Sequence, residues 1–324
     1  MNQKRLLAEY GPMLVIWLIL ILLFGSLSDN FLSARTLSTI AGQVPPLVLV
    51  CCGMTLILIV AGIDLSVGSV LAFSATLFCI LISRAGWPVF FAGLAAILSG
   101  GVFGLINGAV SVLFKVPSFI VTLGTLKVAF GMAMLVSRSE TITVGMKLEP
   151  LVSPIPILGV PVSFVVALFF VAVGQFVLSK TIYGRHLVAI GTNENAVRLA
   201  GLSTTWKKIS VFVITGLLAG VAAIFFAARL GGANADSGNG FELSAIAAVV
   251  IGGTSLMGGR GSIVNSFLGV LIILTLDAGL AQVGADEWVK HVITGVVIIL
   301  AVLMDVLRGD VISKLTAVFR KEAE

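Results

Sequence analysis

Residues Val44–Ser83 read VPPLVLVCCGMTLILIVAGIDLSVGSVLAFSATLFCILIS. Two apolar runs, 44–61 and 66–83, flank a short interruption at Gly62, Ile63, Asp64 and Leu65. At about 1.5 Å per residue each run approaches the ~30 Å hydrocarbon core of a bilayer as a helix. The stretch therefore predicts two membrane helices joined at a break, with no soluble loop between them. An isolated aspartate at bilayer depth costs about 2.5–3.5 kcal/mol on an insertion scale. Either the stretch lies outside the lipid, or the Asp64 carboxylate is sheltered and used. The first helix is expected to end near Gly62. Asp64 is then expected to be the N-cap of a helix opening at Leu65, where orphan N–H groups and the positive end of the dipole favour a carboxylate.

The same pattern extends over all 324 residues, of which 58% are hydrophobic and 11% charged. Soluble domains carry about 25% charged residues. Further apolar runs occupy 11–27, 89–110, 117–136, 160–178, 209–228, 262–281 and 289–307, with an unusually short one at 242–253. Because lipid offers no hydrogen bonds, each crossing should be helical. The short alternating strands of an outer-membrane barrel are missing. The expected fold is all-α: a polytopic transmembrane bundle of about ten segments, in a single domain over 1–324. The amino end has a basic tip and no convincing small-residue cleavage site, and reads as an uncleaved first span.

The net charge of +5 does not point to nucleic acid, because the basic residues concentrate in a few connections. Lys4 and Arg5, the 179–208 loop (Lys180, Arg185, Arg198, Lys207, Lys208) and the tail (Arg308, Lys314, Arg320, Lys321) share one side if the chain crosses ten times. The positive-inside rule makes that side, with both termini, cytoplasmic. Cys51, Cys52 and Cys79 have no zinc spacing, and His186 and His291 lie far apart, so no metal site is expected. Nor does any segment hold a catalytic constellation.

Gly100, Gly104 and Gly108 share one helix face, and Gly216 and Gly220 repeat the spacing. Such seams let helices approach closely. The run 242–253 would reach only about 18 Å as a helix. It leads into IGGTSLMGGRGS, Ile251–Ser262, which matches Gly62–Gly68 at glycine, leucine and glycine. Broken or re-entrant pieces are thus expected near 62–66 and 242–262. Short, glycine-interrupted segments in both halves of a chain point to a transporter's solute path. Capped turns at the membrane surface are the competing reading.

The longest polar connection contains YGRHLVAIGTNENAVRLAGLSTTWKK, Tyr183–Lys208. Asn193 can cap a short helix, Glu194 to Leu199, and Gly201 can end it in the left-handed region. Ala196, Val197, Leu199 and Ala200 give it an apolar side suited to another protein's groove. A solvated loop with one helical turn is the alternative.

Five blocks, in order, carry a resemblance: AGIDLSVGS (61–69), GLINGAVSVLFKVPSFIVTLGTL (104–126), YGRHLVAIGTNENAVRLAGL (183–202), GLLAGVAAIFFAARL (216–230) and FELSAIAAVVIGGTSLMGGRGSIVNSFLGVLI (241–272). The chain resembles, over roughly 35–305, the permease subunits of bacterial ATP-binding-cassette importers of the ribose, xylose, galactose and autoinducer-2 class. The resemblance implies an inner-membrane importer with two permease subunits, separate ATPase subunits and a periplasmic solute-binding protein. It implies that Gly191, Asn193, Glu194, Ala196, Arg198, Leu199 and Gly201 form the element that inserts into the ATPase. The chain has no G-x-x-x-x-G-K-[ST] phosphate loop, so ATP and magnesium belong to the partner and this chain carries no cofactor. The expected cargo is a small polar solute, a sugar before others. Candidate path-lining groups are Asp64, Ser66, Asn107, Thr122, Thr125, Thr254, Ser255 and Asn265, each equally suited to interhelical hydrogen bonding. Lys127 and Val264 depart from the usual pattern. Lys127 is expected to face the path, pair with a carboxylate or snorkel. Two rivals are an ion-driven carrier relaying through Asp64 or Asp277, and an importer of nucleosides or amino acids in the same superfamily.

Overall fold

A computed structural model describes residues 3–155, 159–300 and 302–303. The helices are α1 (Gln3–Leu27), α2 (Ala34–Ile59), α3 (Val67–Ser83), α4 (Val89–Leu113), α5 (Ser118–Ser137), α6 (Glu149–Val152), α7 (Val162–Lys180), α8 (Ile182–Leu199), α9 (Thr205–Leu230), α10 (Phe241–Ile251), α11 (Ile263–Gln282) and α12 (287–300). Two-residue strands β1 (Ile142–Thr143) and β2 (Gly232–Ala233) pair antiparallel. Among the described residues seven helices are long and apolar enough to cross a membrane. α3, with 17 residues, falls just short, and α10 has 11. The fold is all-helical and polytopic, as expected. The carboxyl tail with Arg308, Lys314, Arg320 and Lys321, and the end of the predicted span 289–307, lie outside the described residues.

α2 forms the axis of the bundle: 89% of its most apolar window is buried, against 6% for α1 on the rim. It starts ten residues before the predicted run, because Ser33 caps it by accepting the Thr36 N–H at 3.3 Å. Pro45 and Pro46 sit inside this helix. Neighbouring segments in a membrane bundle satisfy the backbone groups that proline frees.

The two predicted glycine seams are one interface. A Cβ at Gly100 would strike the Gly216 carbonyl, one at Gly104 the Phe212 carbonyl, and one at Gly108 the Ile209 backbone. α4 and α9 therefore meet backbone to backbone, where dispersion replaces the hydrophobic drive that lipid cannot supply.

The bundle has two recognisable ends. At one, Arg84 pairs with Glu140 at 2.9 Å, β1 meets β2, and Gln282 Nε2 donates to Thr36 Oγ1 at 3.1 Å. At the other, α8 packs against the last turn of α2, and Lys208 at the start of α9 pairs with Glu194 of α8 at 3.0 Å. The predicted loop 179–208 is mostly helix: α8 takes up its first part, and α9 begins at Thr205, before the predicted 209.

Candidate functional site

The first break differs from the capped helix start predicted for it. α2 ends at Ile59 and α3 opens at Val67, not Leu65. Asp64 is therefore not the N-cap. Its Oδ1 accepts the Ser66 N–H at 2.8 Å and the Ser66 hydroxyl at 2.6 Å. The link rises along α5: Ile63 N donates to Ser118 Oγ at 2.9 Å, and Leu65 N donates to Thr122 Oγ1 at 3.1 Å. Ser118 and Thr122 are one turn apart, so the side chains of α5 satisfy backbone donors that no helix serves. Asn107 Nδ2 donates to Ser66 Oγ at 2.9 Å, and Thr125 Oγ1 donates to Asn107 Oδ1 at 2.6 Å. Asp64, Ser66, Asn107, Thr122 and Thr125 thus meet in one network tying the break to α4 and α5.

All five are buried, Thr125 the least at 8% exposure. In this conformation they hold helices together rather than face a cavity. Asp64→Ala leaves both Ser66 donors without an acceptor, at about 1–3 kcal/mol for each buried unsatisfied group. We expect a lower melting temperature in detergent for Asp64→Ala and a smaller drop for Asp64→Asn, which keeps one acceptor. Equal melting for Asp64→Ala and the parent would show that the network is not structural.

The second break lies beyond α10. Gly253, Gly258 and Gly259 adopt φ of 81°, 86° and 76°, and the turn folds onto the end of α2. Gly259 N donates to Ile59 O at 2.9 Å. Side chains at Gly191 would overlap Ile59 O and Gly259 N, so α8 presses into the same place. This glycine junction brings together the first break, the second break and the base of the loop helix. Thr254 and Ser255 are buried in the turn. Thr254 Oγ1 and Asn265 Oδ1 are buried without a hydrogen-bond partner. The sequence candidates thus form two groups, the knot around Asp64 and the turn around Thr254.

Gln175, on α7, escaped the sequence reading. Its Oε1 accepts from Ile263 N at 2.9 Å, Val264 N at 3.3 Å and Ser262 Oγ at 3.4 Å, capping α11. The available signal was a lone glutamine in an apolar run.

At the far end of α8 the predicted short helix is present. Asn193 kinks the chain at φ −160°, ψ 93°, and its Oδ1 accepts the Ala196 N–H at 3.0 Å. Gly201 closes the helix at φ 78°, with Leu202 N donating to Val197 O at 3.2 Å. Its apolar side is divided: Val197 is buried, whereas Leu199 is 90% exposed. Glu194 turns inward. Its Oε1 accepts from Arg198 Nη2 at 2.7 Å and Thr204 Oγ1 at 3.0 Å, and its Oε2 accepts from Lys208 Nζ at 3.0 Å. The carboxylate fastens the short helix to the start of α9.

Partial burial pushes the Glu194 carboxyl up, but Lys208, Thr204 and Arg198 together outweigh burial and hold it below the usual carboxylate range. A depressed folded value means that this clamp is at full strength above the unfolded carboxyl's pKa and is lost as pH falls through the folded one. A spin label at Leu199→Cys should keep its lineshape from about pH 8 to about 5 and become mobile only below the ordinary glutamate pKa of about 4.3. Loosening near neutral pH would contradict the clamp.

Two cavities involve other singled-out residues. One of about 620 Å³, lined by Arg35, Gln43, Asp277, Lys290 and His291 among others, opens at the Gln282 end. The other, about 160 Å³, is lined by Lys127 with Asp236, Asn239 and Glu242.

A polytopic helical bundle, two broken crossings and a projecting loop helix define a membrane permease component. Residues 36–302 match the family described as branched-chain amino acid transport system / permease component, and the chain belongs to it. It is 35% identical over 318 residues to ribose import permease protein RbsC of Escherichia coli K12, covering 94% of both chains. Ribose import permease protein RbsC of Bacillus subtilis 168 is 36% identical over 315 residues, covering 94% of this chain and 96% of that protein. D-allose transport system permease protein AlsC of Escherichia coli K12 is 34% identical over 299 residues, covering 92% and 91%. No solved structure matches the chain.

Proposed function

We propose that the chain is the membrane-spanning subunit of an ATP-binding-cassette importer that passes a monosaccharide into the cytoplasm. The observation that carries this is the identity, spread over more than nine-tenths of the chain, to permeases named for ribose and allose. The basic residues of the loop and tail support an inner-membrane protein with both termini in the cytoplasm. In this reading α3, α10 and α12 add partial or further crossings to the seven long helices, giving about ten. The partners are a second permease subunit, ATPase subunits that hold ATP and magnesium, and a periplasmic solute-binding protein.

In mechanism, the ATPases grip the short helix at Leu199. Their closure moves α8, whose base at Gly191 touches the end of α2 and the Gly258–Gly259 turn without an intervening side chain. The push therefore arrives at both breaks together. Glu194 keeps the short helix and α9 moving as one piece. The Asp64 knot passes the displacement to α4 and α5, and alternating access follows from rocking these helices about the path.

The test is co-reconstitution in liposomes with the ATPase and the binding protein. ATP-dependent uptake of ribose or allose is expected, with none for this chain alone. Uptake of nucleosides or amino acids instead would reassign the cargo. Asp277 faces Lys290 and His291 in a polar cavity, the arrangement an ion-driven carrier would use. Gradient-driven uptake by the chain without any ATPase would establish that rival.

A further inference from the structure

We propose that Lys127, Asp236 and Glu242, with Ser69, Asn239 and Phe130, form a water-filled subsite on the solute path, built to contact a neutral polyhydroxylated ring. The proposal rests on the transport reading above and locates its solute contact.

Lys127 lies in the middle of α5, about 14–15 Å from either end at the helical rise. Lysines snorkel from positions near helix ends, not from mid-span. Yet Lys127 is exposed and, among the described residues, makes no ion pair. Facing lipid it would cost about 2.5–3.5 kcal/mol. It must face water.

The groups opposite it reach that depth by an unusual route. α10 is only 11 residues, about 16 Å, and covers half a hydrocarbon core. The other half is crossed by residues 231–240, which hold β2 and a single 3-10 turn, Ala235–Gly238. A Cβ at Gly68 would overlap the Gly238 carbonyl and Glu242 Oε2, which pins this segment to the first turn of α3, beside the middle of α5. Non-helical backbone at membrane depth is tolerated only where protein buries it or where it lines water. Gly232, Ala233, Ala235 and Gly238 are buried, whereas Asp236 and Asn239 are exposed, so this chain buries one side of the segment and leaves the other open. The second condition applies to that open side, which lines the cavity of about 160 Å³ between α3, α5 and this segment and has room for water.

The lining specifies its ligand. Two carboxylates accept hydroxyl protons, Lys127 donates, the Asn239 amide and Ser69 hydroxyl do both, and Phe130 adds an apolar wall for C–H groups. With all three charged groups ionised the subsite is net negative, which admits a neutral sugar and repels a phosphorylated one. Discontinuous segments meeting near the midplane are where transporters place solute contacts.

The experiment uses the full importer in inverted and right-side-out membrane vesicles. Lys127→Cys should react with a charged, membrane-impermeant methanethiosulfonate, whereas Leu18→Cys on the rim helix α1 should not. The native cysteines are buried and should stay silent. Lys127→Met and Glu242→Gln should lower ATP-driven monosaccharide uptake at least tenfold with unchanged membrane levels, and Lys127→Arg should recover part of it. Failure of Lys127→Cys to label from either side, or full uptake by Lys127→Met, overturns the subsite even if the parent importer carries sugars. If Lys127→Cys labels and the parent carries a different neutral solute that Lys127→Met transports poorly, the subsite stands while the sugar assignment falls.

Discussion

Glu194→Arg should cut ATP-driven uptake about 5- to 150-fold and leave the bundle intact. The substitution replaces the acceptor shared by Arg198, Thr204 and Lys208 with a third cation beside two others. Partly exposed ion pairs contribute only about 0.2–1 kcal/mol each and a hydrogen bond about 0.5–1.5 kcal/mol, so the two pairs and the Thr204 bond together hold about 1–3 kcal/mol. That is small against a packed bundle and large for a helix of six residues, which is marginal on its own. A loss of 1–3 kcal/mol corresponds to about a 5- to 150-fold fall in a competent population. Uptake in liposomes should drop within that range, with detergent melting shifted little. Ala196→Pro should do the same by removing the N–H that Asn193 accepts. Normal uptake by both variants would show that the short helix is not the lever. A large fall in melting would show that Glu194 serves the bundle instead.

Gly216→Val should fail to yield folded protein. The added Cβ lands on the Gly100 carbonyl and near the Gly104 Cα, both backbone, so no rotamer change relieves the overlap. The helices must separate, and the contacts along the α4–α9 seam are lost with them. Overpacking typically costs about 1–3 kcal/mol, and a clash of two backbones should exceed it. Gly11→Val provides the control, because nothing lies within 4 Å of a Cβ there. Size-exclusion profiles and thermal aggregation in detergent separate the outcomes: Gly11→Val monodisperse and parent-like, Gly216→Val aggregated or absent. A monodisperse, stable Gly216→Val protein would mean that the seam tolerates separation and does not set the fold.

Much of this was readable from residue order because the relevant interactions are local. Apolar runs of spanning length mark the helices, since the rise per residue and the thickness of the core leave little choice. The Asn193 cap and the Gly201 left-handed stop act within a few residues, and the structure forms both. The seam glycines share helix faces by their spacing alone. Asp64 was legible as a special position but not in its role, because α3 opens only at Val67 and the non-helical link that carries Asp64 is held by α5, some fifty residues away. Gln175 was invisible for the same reason: a single amide gains meaning only from the three groups it accepts across nearly ninety residues.

Residue order by itself thus determined a polytopic helical bundle, the glycine faces of two of its helices, its capped loop helix and the places where the chain breaks, since each follows from helix geometry or from groups a few positions apart. Only the tertiary structure decided where those breaks go: that the Asp64 group closes on itself as a buried knot, that Gly191, Ile59 and Gly259 touch, that the Gly100 and Gly216 faces meet, and that Lys127 lines one cavity with Asp236 and Glu242. Those contacts join residues far apart in the chain, and which distant polar groups meet depends on how the helices stack.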